Sequence, residues 1–392
     1  MLKTAATMLA VLALVGCGGQ QAASSASPTT GAVSSPSPSE PTSPSPSGSP
    51  VASVPDPKLT CTKVPVPRDP LLLMRGKISG LVVMDVADPL HPAQLCMLLN
   101  ATTGRFVSAT KIVFWYSTFV GTADLETGNL NWNRAWVTEP LAVAFSPDGL
   151  NWAYREGDAT GVRTHLVVGG TDTVLITRAL LGGHGVPPYG PLEQLAFSGT
   201  GQYLLTYSFF VPAAEPPNFM VFALDGSTAF KSATAKFGTW DRTGNRLYFL
   251  AGTTTSGIIG TVKSLDPGGQ PVARSAKLSS YFWPMMSPDG KTLVFNTFTA
   301  QGFPHPWRLD TTSRVRAQVS SATSSQPVFI GSDYIWSNEG VPCKCGPAGT
   351  SAPDGRVIAH NMRTGVNSVV LGVADLTAST SPTDEIEDVW FG

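Results

Sequence analysis

The stretch Met286-Ser287-Pro288-Asp289-Gly290-Lys291-Thr292-Leu293-Val294-Phe295 constrains the fold more than any other part of the chain. Pro288 pre-sets φ, Asp289 can bond its own backbone and Gly290 tolerates positive φ, while the four residues from Thr292 are β-branched or apolar. The segment is therefore a strand end, a tight turn and a second strand. Variants recur at Phe145-Ser146-Pro147-Asp148-Gly149, Phe197-Ser198-Gly199-Thr200-Gly201 and Trp240-Asp241-Arg242-Thr243-Gly244, each followed by an apolar strand. From Phe145 through Phe197 and Trp240 to Met286 the steps are 52, 43 and 46 residues. A turn repeated about every 45 residues is the signature of four-stranded propeller blades.

A second series marks the ends of third strands. Apolar runs close on Asp85, Asp124, Gly169, Asp225, Asp266, Asp310 and Asn361, which gives seven. First-strand turns number only six, even with weaker copies near Ser108 and Gly331. The missing strand is supplied by Ile386-Glu387-Asp388-Val389-Trp390-Phe391, which alternates and follows all the other blades. The expected fold is thus all-β: a propeller of seven four-stranded blades, closed by pairing of the two chain ends, with no exposed sheet edge at the join. Six blades are the alternative, with Leu71 to Leu98 as an appendage. No segment after Pro57 keeps a 3.6-residue apolar period over a dozen residues, so any helix should be a short loop turn.

The N-terminus is organised differently. Met1-Leu2-Lys3, an apolar run from Ala5 to Val15 and Gly16-Cys17 form a signal peptide over residues 1–17, too short in its apolar part to span a bilayer. Leu14-Val15-Gly16-Cys17 resembles the bacterial lipobox, which implies lipidation of Cys17 and a protein anchored to a membrane of the cell envelope on its extracytoplasmic side. Residues 18–57 are Ser, Pro, Thr, Ala and Gly with almost no large apolar side chain, a disordered tether with a reach on the order of 35 Å. The propeller is expected over residues 58–392. Cys61, Cys96, Cys343 and Cys345 can form two disulfides in an exported chain, with three connectivities open. Net charge is −1 and only 14% of residues are charged, so nothing points to nucleic acid as a partner.

The chain lacks the marks of propeller enzymes. It has no G-x-S-x-G elbow and no glycine-rich phosphate loop leading into a helix. Cys343-Lys344-Cys345 is not completed into a metal site, the five histidines are scattered over several blades, and no metal or cofactor is expected. Trp115, Trp152, Trp240, Trp283, Trp336 and Trp390 fall on or beside predicted first and second strands, where blades pack. Long Pro/Gly segments, Leu180 to Leu192, Phe209 to Asn218, Thr297 to Pro306 and Ser337 to Pro353, fall between second and third strands or between blades. Those connections share one face of a propeller, so His184, Tyr189, Phe209, Phe210, Phe303 and His305 are the candidate binding face.

The complete copies Ser146-Pro147-Asp148-Gly149 and Ser287-Pro288-Asp289-Gly290, with partial copies at Ser198, Gly201, Asp241 and Gly244, resemble the TolB-like, WD-repeat-like propeller repeat. The resemblance covers about residues 71 to 391 and implies the architecture; in that family these residues shape turns. The tether replaces the globular domain that precedes the propeller of periplasmic TolB, so no role in the Tol machinery carries over. The functional expectation is a non-enzymatic scaffold that binds an envelope protein or a small extracytoplasmic ligand. The alternative is a hydrolase or lyase acting on a glycan or small molecule at the channel mouth.

Overall fold

The computed structural model describes residues 55–391 apart from 66–69, 135–139, 158–160, 180–192, 209–217, 252–258, 266–275, 280–283, 299–303, 314, 321–323, 343–350 and 378–381. Six blades are each built of four consecutive antiparallel strands, within residues 103–134, 142–179, 193–232, 236–279, 285–318 and 324–370. A seventh sheet is composite. Its strand order is Lys58–Cys61, Ala93–Leu99, Gly80–Asp85, Leu71–Arg75 and Ile386–Trp390. The C-terminal strand pairs antiparallel with Leu71–Arg75, Leu71 opposite Trp390 and Leu72 opposite Val389. Helix among the described residues is limited to Val373–Leu376 and a 3-10 turn at Pro382–Glu385.

The sheets close into a ring because each shares an apolar cluster with the next. Leu71, Leu73 and Leu81 of the composite sheet pack with Phe106, Ile112 and Phe114 of the 103–134 blade. Val113 and Trp115 meet Phe145 and Tyr154; Ala153 and Leu166 meet Phe197 and Leu204. One large cluster joins the 193–232, 236–279 and 285–318 blades through Leu205, Phe219, Trp240, Phe249, Leu293 and Phe295. Val294 then meets Phe329 and Ile335, and Val328, Ile330 and Trp336 return to Leu72, Val82, Met84 and Val389 of the composite sheet. Both faces of the second strands are covered, which explains continuous apolar runs such as Leu71-Leu72-Leu73-Met74, buried at every position. Each such side chain contributes roughly 1.5–3 kcal/mol. Trp115, Trp240 and Trp336 are buried, Trp152 and Trp390 half-buried, and Trp283 lies outside the described residues.

Tight turns gather at one end of the ring. In Ser146-Pro147-Asp148-Gly149 the Ser146 hydroxyl accepts the Asn151 amide at 2.9 Å and donates to Asp148 Oδ1 at 2.5 Å. Ser287 accepts the Thr292 amide at 2.9 Å and donates to Asp289 at 2.6 Å. Gly149, Gly201, Gly290 and Gly331 take φ near +70°, the conformation this turn requires and glycine reaches without strain. The third-strand ends use a parallel device, an Asp or Asn carbonyl or carboxylate oxygen capping the amide two residues on. Asp85 accepts Ala87 N at 2.8 Å, Asp124 accepts Glu126 N at 3.0 Å, Asp310 accepts Thr312 N at 3.0 Å and Asn361 accepts Arg363 N at 3.0 Å.

Candidate functional site

The inner strand of every sheet presents unpaired backbone groups toward the centre of the ring. Polar side chains from neighbouring inner strands satisfy them. Asp388 Oδ2 accepts the Phe106 amide at 2.9 Å, and Arg105 Nη1 donates to Phe145 O at 2.9 Å. The Gln194 amide accepts Gly238 N at 3.1 Å and donates back to Gly238 O, while Trp240 Nε1 donates to Ala196 O at 2.9 Å. Thr103 donates to the Glu387 carboxylate, which Arg75 Nε meets at 2.6 Å. Burial raises the Glu387 carboxyl above its ordinary value, against the opposing pull of Arg75 and Thr103.

One contact crosses the ring. Arg242 follows the inner strand Lys236–Trp240, and that blade is not a ring neighbour of the composite sheet. Its guanidinium nevertheless donates to Val389 O and lies 4.0 Å above the centre of the Phe391 ring. Because Arg242 and Phe391 both come just after inner strands end, the bridge lies at the tight-turn end of the ring. The Arg242 backbone is held by Gly199, where an added Cβ would sit 2.1 Å from Arg242 O. Burial pushes the Arg242 pKa down to about 10; Asp388 opposes that shift and the charge of Arg105 adds to it.

Two further polar networks lie within blades. Ser337 Oγ is 2.6 Å from His360 Nε2, and His360 Nδ1 is 2.8 Å from Asn367 Oδ1. That is the connectivity of a nucleophile, a base and an orienting group. Ser337 is 0% exposed and His360 1%, however, so the trio cross-links strands where no substrate reaches. Burial lowers the His360 pKa, with the Asn367 bond opposing. In the 142–179 blade Tyr154 stacks on His165 at 4.4 Å, and Asp172 binds the Tyr154 hydroxyl at 2.6 Å and His165 Nδ1 at 3.0 Å. Among the described residues no group of three or more His, Cys, Asp or Glu is placed to hold a metal ion.

Of the residues singled out in the sequence, Cys61 and Cys96 form a disulfide, directly opposite each other on adjacent strands with Cα atoms 4.0 Å apart. His305 is not on a loop. It belongs to the strand Pro304–Asp310 and pairs with Thr297. The Pro-rich spacing suggested a loop there, but the fourth strand pairs only with Trp307, Arg308 and Leu309. Pro304 and Pro306 lie beyond it, on an edge where a missing N–H costs little. Ser337 to Pro353 is shortened in the same way, since the ladder runs on to Pro342 opposite Ser351. Cys17, His184, Tyr189, Phe209, Phe210, Phe303, Cys343 and Cys345 lie outside the described residues. Arg105, Arg242, Asp388 and Phe391 were not singled out. A signal existed for Arg242, which stands where the complete turns have Pro147 and Pro288 and where Gly199 stands in a third.

The ring of antiparallel blades, the S-P-D-G turns and the stitched inner strands decide the architecture. The fold is a β-propeller. No protein-family model and no curated protein matches the sequence. Solved structures do: TolB from Acinetobacter baumannii at 16% identity, TM-score 0.41, covers 64% of this chain and 64% of its own, so the match spans less than two thirds of that protein. The β-propeller domain of the Trilobed protease from Pyrococcus furiosus, described as having an open velcro topology, is 10% identical with TM-score 0.44 over 68% of this chain and 82% of its own. An oligogalacturonate lyase from Vibrio parahaemolyticus is 11% identical with TM-score 0.45 over 80% and 96%. At these identities the likeness is one of fold. No helix among the described residues is long and apolar enough to cross a membrane.

Proposed function

We propose that the protein is a non-enzymatic binding scaffold, held by a lipid on Cys17 at the extracytoplasmic side of a bacterial membrane, that captures an envelope protein or small ligand with the face opposite its tight turns. The observation that carries this reading is the asymmetry of the ring. One end is locked by Ser–Asp and Asp–amide bonds and bridged by Arg242, and the ionisable groups of the inner ring are engaged in holding neighbouring strands together. The recognition groups in this reading belong to connections such as 180–192, 209–217 and 343–350, which lie outside the described residues. Long connections on a rigid scaffold are where recognition residues concentrate.

Two separable measurements test the reading. Cys17→Ala removes the thiol needed for lipid attachment and should move the protein from the membrane fraction to the soluble exported fraction; retention with the signal removed would sink the anchor. The triple variant Tyr189→Ser, Phe210→Ser, Phe303→Ser should lose capture of an envelope component that the wild-type propeller retains, at an unchanged Tm. Equal capture by both proteins would move the binding surface elsewhere.

A further inference from the structure

Three residues before the first strand are docked on the ring by side chains. Pro55, Asp56 and Pro57 precede Lys58–Cys61 and lie outside its ladder. Proline fixes φ at about −65°, and a residue that precedes proline is biased toward extended or polyproline II backbone. Pro55-Asp56-Pro57 is therefore preset as a turn of that left-handed helix, which makes no internal hydrogen bonds and leaves its carbonyl oxygens to accept from elsewhere. Here they do. Asn100 Nδ2 donates to Pro55 O at 3.2 Å and to Asp56 O at 2.9 Å, and the Tyr116 hydroxyl donates to Pro55 O. Both donors are fixed. Asn100 takes φ +67°, in the left-handed region that asparagine tolerates, with its own amide on Ser79 O at 2.9 Å. Tyr116 is 2% exposed, and its ring stacks on Phe119 with centroids 5.9 Å apart. Pro57 is buried whereas Pro55 and Asp56 are exposed, so the segment sits in a surface seat and not in the core.

All three bonds go to backbone carbonyls, so none reads the side chain at position 56. The seat selects a backbone shape, and the prolines supply it. An aromatic side chain beside a preformed, low-entropy polyproline II segment is a general means of recognising proline-rich peptides. The same Pro-x-Pro spacing occurs further back in the chain, at Pro36-Ser37-Pro38 and Pro44-Ser45-Pro46. We propose that Asn100 and Tyr116 form a recognition site for Pro-x-Pro segments, filled by the chain's own Pro55-Asp56-Pro57 and exchangeable with Pro36–Pro38 or Pro44–Pro46 of a second copy. Serine in the middle position suits a seat that ignores that side chain. The resident segment is joined to Lys58 and competes at an effective concentration on the order of millimolar, so exchange is favoured where copies are crowded together. The site uses neither the long connections nor Cys17 and stands apart from the scaffold reading.

Fluorescence anisotropy of a labelled peptide spanning residues 40–48, titrated with the purified protein, tests the site. The peptide should bind saturably, and the same peptide carrying Pro44→Ala and Pro46→Ala should bind far more weakly. Asn100→Ala removes two bonds at the seat and should weaken binding roughly 10-fold, while Tyr116→Phe keeps the buried ring, removes one bond and should weaken it several-fold. The opposite sign is expected when the resident segment is loosened. Pro55→Gly with Pro57→Gly gives that segment more freedom to lose on docking, so the labelled peptide should bind several-fold more tightly than to wild type, with the main melting transition retained. A purely structural role for Asn100 and Tyr116 predicts no such increase. Absence of saturable binding to both wild type and the double glycine variant, or equal affinity in wild type and Asn100→Ala, overturns the proposal. Binding of a proline decamer without binding of the 40–48 peptide overturns the second copy as the occupant.

Discussion

Ser287 is 5% exposed, and its hydroxyl serves both Asp289 and the Thr292 amide. Ser287→Ala strips two partners at once and should cost about 1–2 kcal/mol, a Tm loss of a few degrees in a domain of this size, readable by calorimetry. The turn carboxylates also make stability depend on pH. The Thr127 amide holds Asp124 below the ordinary range, Ser227 does so for Asp225 and the Ser313 amide for Asp310; burial opposes the shift at Asp289, where the Ser287 hydroxyl and Lys291 amide outweigh it. A folded pKa below the unfolded one means the contribution is complete above the unfolded value, about 3.9, and is lost as pH falls through the folded values. The turns' share of Tm should therefore stay level between pH 7 and 5 and drop below about pH 4, while the buried His360, whose pKa burial lowers, adds a separate loss as pH falls below about 6.5. A steady decline already between pH 7 and 5 that persists in His360→Gln would assign acid sensitivity to groups other than these turns and the buried imidazole. The turns were legible because Ser, Asp, Asn and Gly act within a few residues of themselves. Arg242 was not, since its partners Val389 and Phe391 are nearly 150 positions away and its departure from proline resembles mere decay of a repeat.

Strands were legible wherever both faces are buried, as in Lys111–Tyr116, where every residue after the first is buried. Where burial ends, the pattern weakens, which is why Pro304–Asp310 looked like a loop in its first half and why Lys58–Cys61, with its alternating exposed and half-buried residues, was placed in the propeller without being read as a strand. Ile386–Trp390 is the element on which closure depends. Val389 is 4% exposed and packs toward the 324–370 blade, and Trp390 packs toward the 103–134 blade, so one short strand seals both neighbours of the composite sheet. Burying those two side chains contributes about 4 kcal/mol, before counting the ladder to Leu71–Arg75 and the Arg242 bridge. Deleting residues 386–392 should lower Tm by roughly 10 °C or prevent folding, because it also exposes the Leu71–Arg75 edge to pairing with other chains. A truncated protein that melts with the wild type and stays monomeric on a sizing column would show that the ring does not need the C-terminal strand.

At the scale of the whole molecule the composite sheet also fixes where the N-terminal segment meets the ring. Lys58 lies opposite Leu99, at the end of the sheet away from Asp85 and the tight turns. Pro55 and Asp56, just before it, are held there by the Asn100 side chain and Pro55 also by the Tyr116 hydroxyl. The chain thus enters the propeller at the end of the sheet away from the tight turns. An anchor acting through that chain would pull from the proposed binding end. The Cys61–Cys96 bond and the Thr62 amide on Leu95 O at 2.8 Å staple the junction. By the chain-entropy account a cross-link over 35 residues is worth about 4 kcal/mol if its loop folds with the rest. Lys58–Cys61 is a fifth strand on an outer edge, however, and the other blades complete themselves with four. Its loss should be local. Cys61→Ala with Cys96→Ala should leave the main melting transition within about 3 °C of wild type while trypsin cuts at Lys58 and Lys63 far sooner, followed by mass spectrometry over time. A collapse of the main transition instead would mean that the staple holds the ring itself, and that the junction cannot yield without unfolding the propeller.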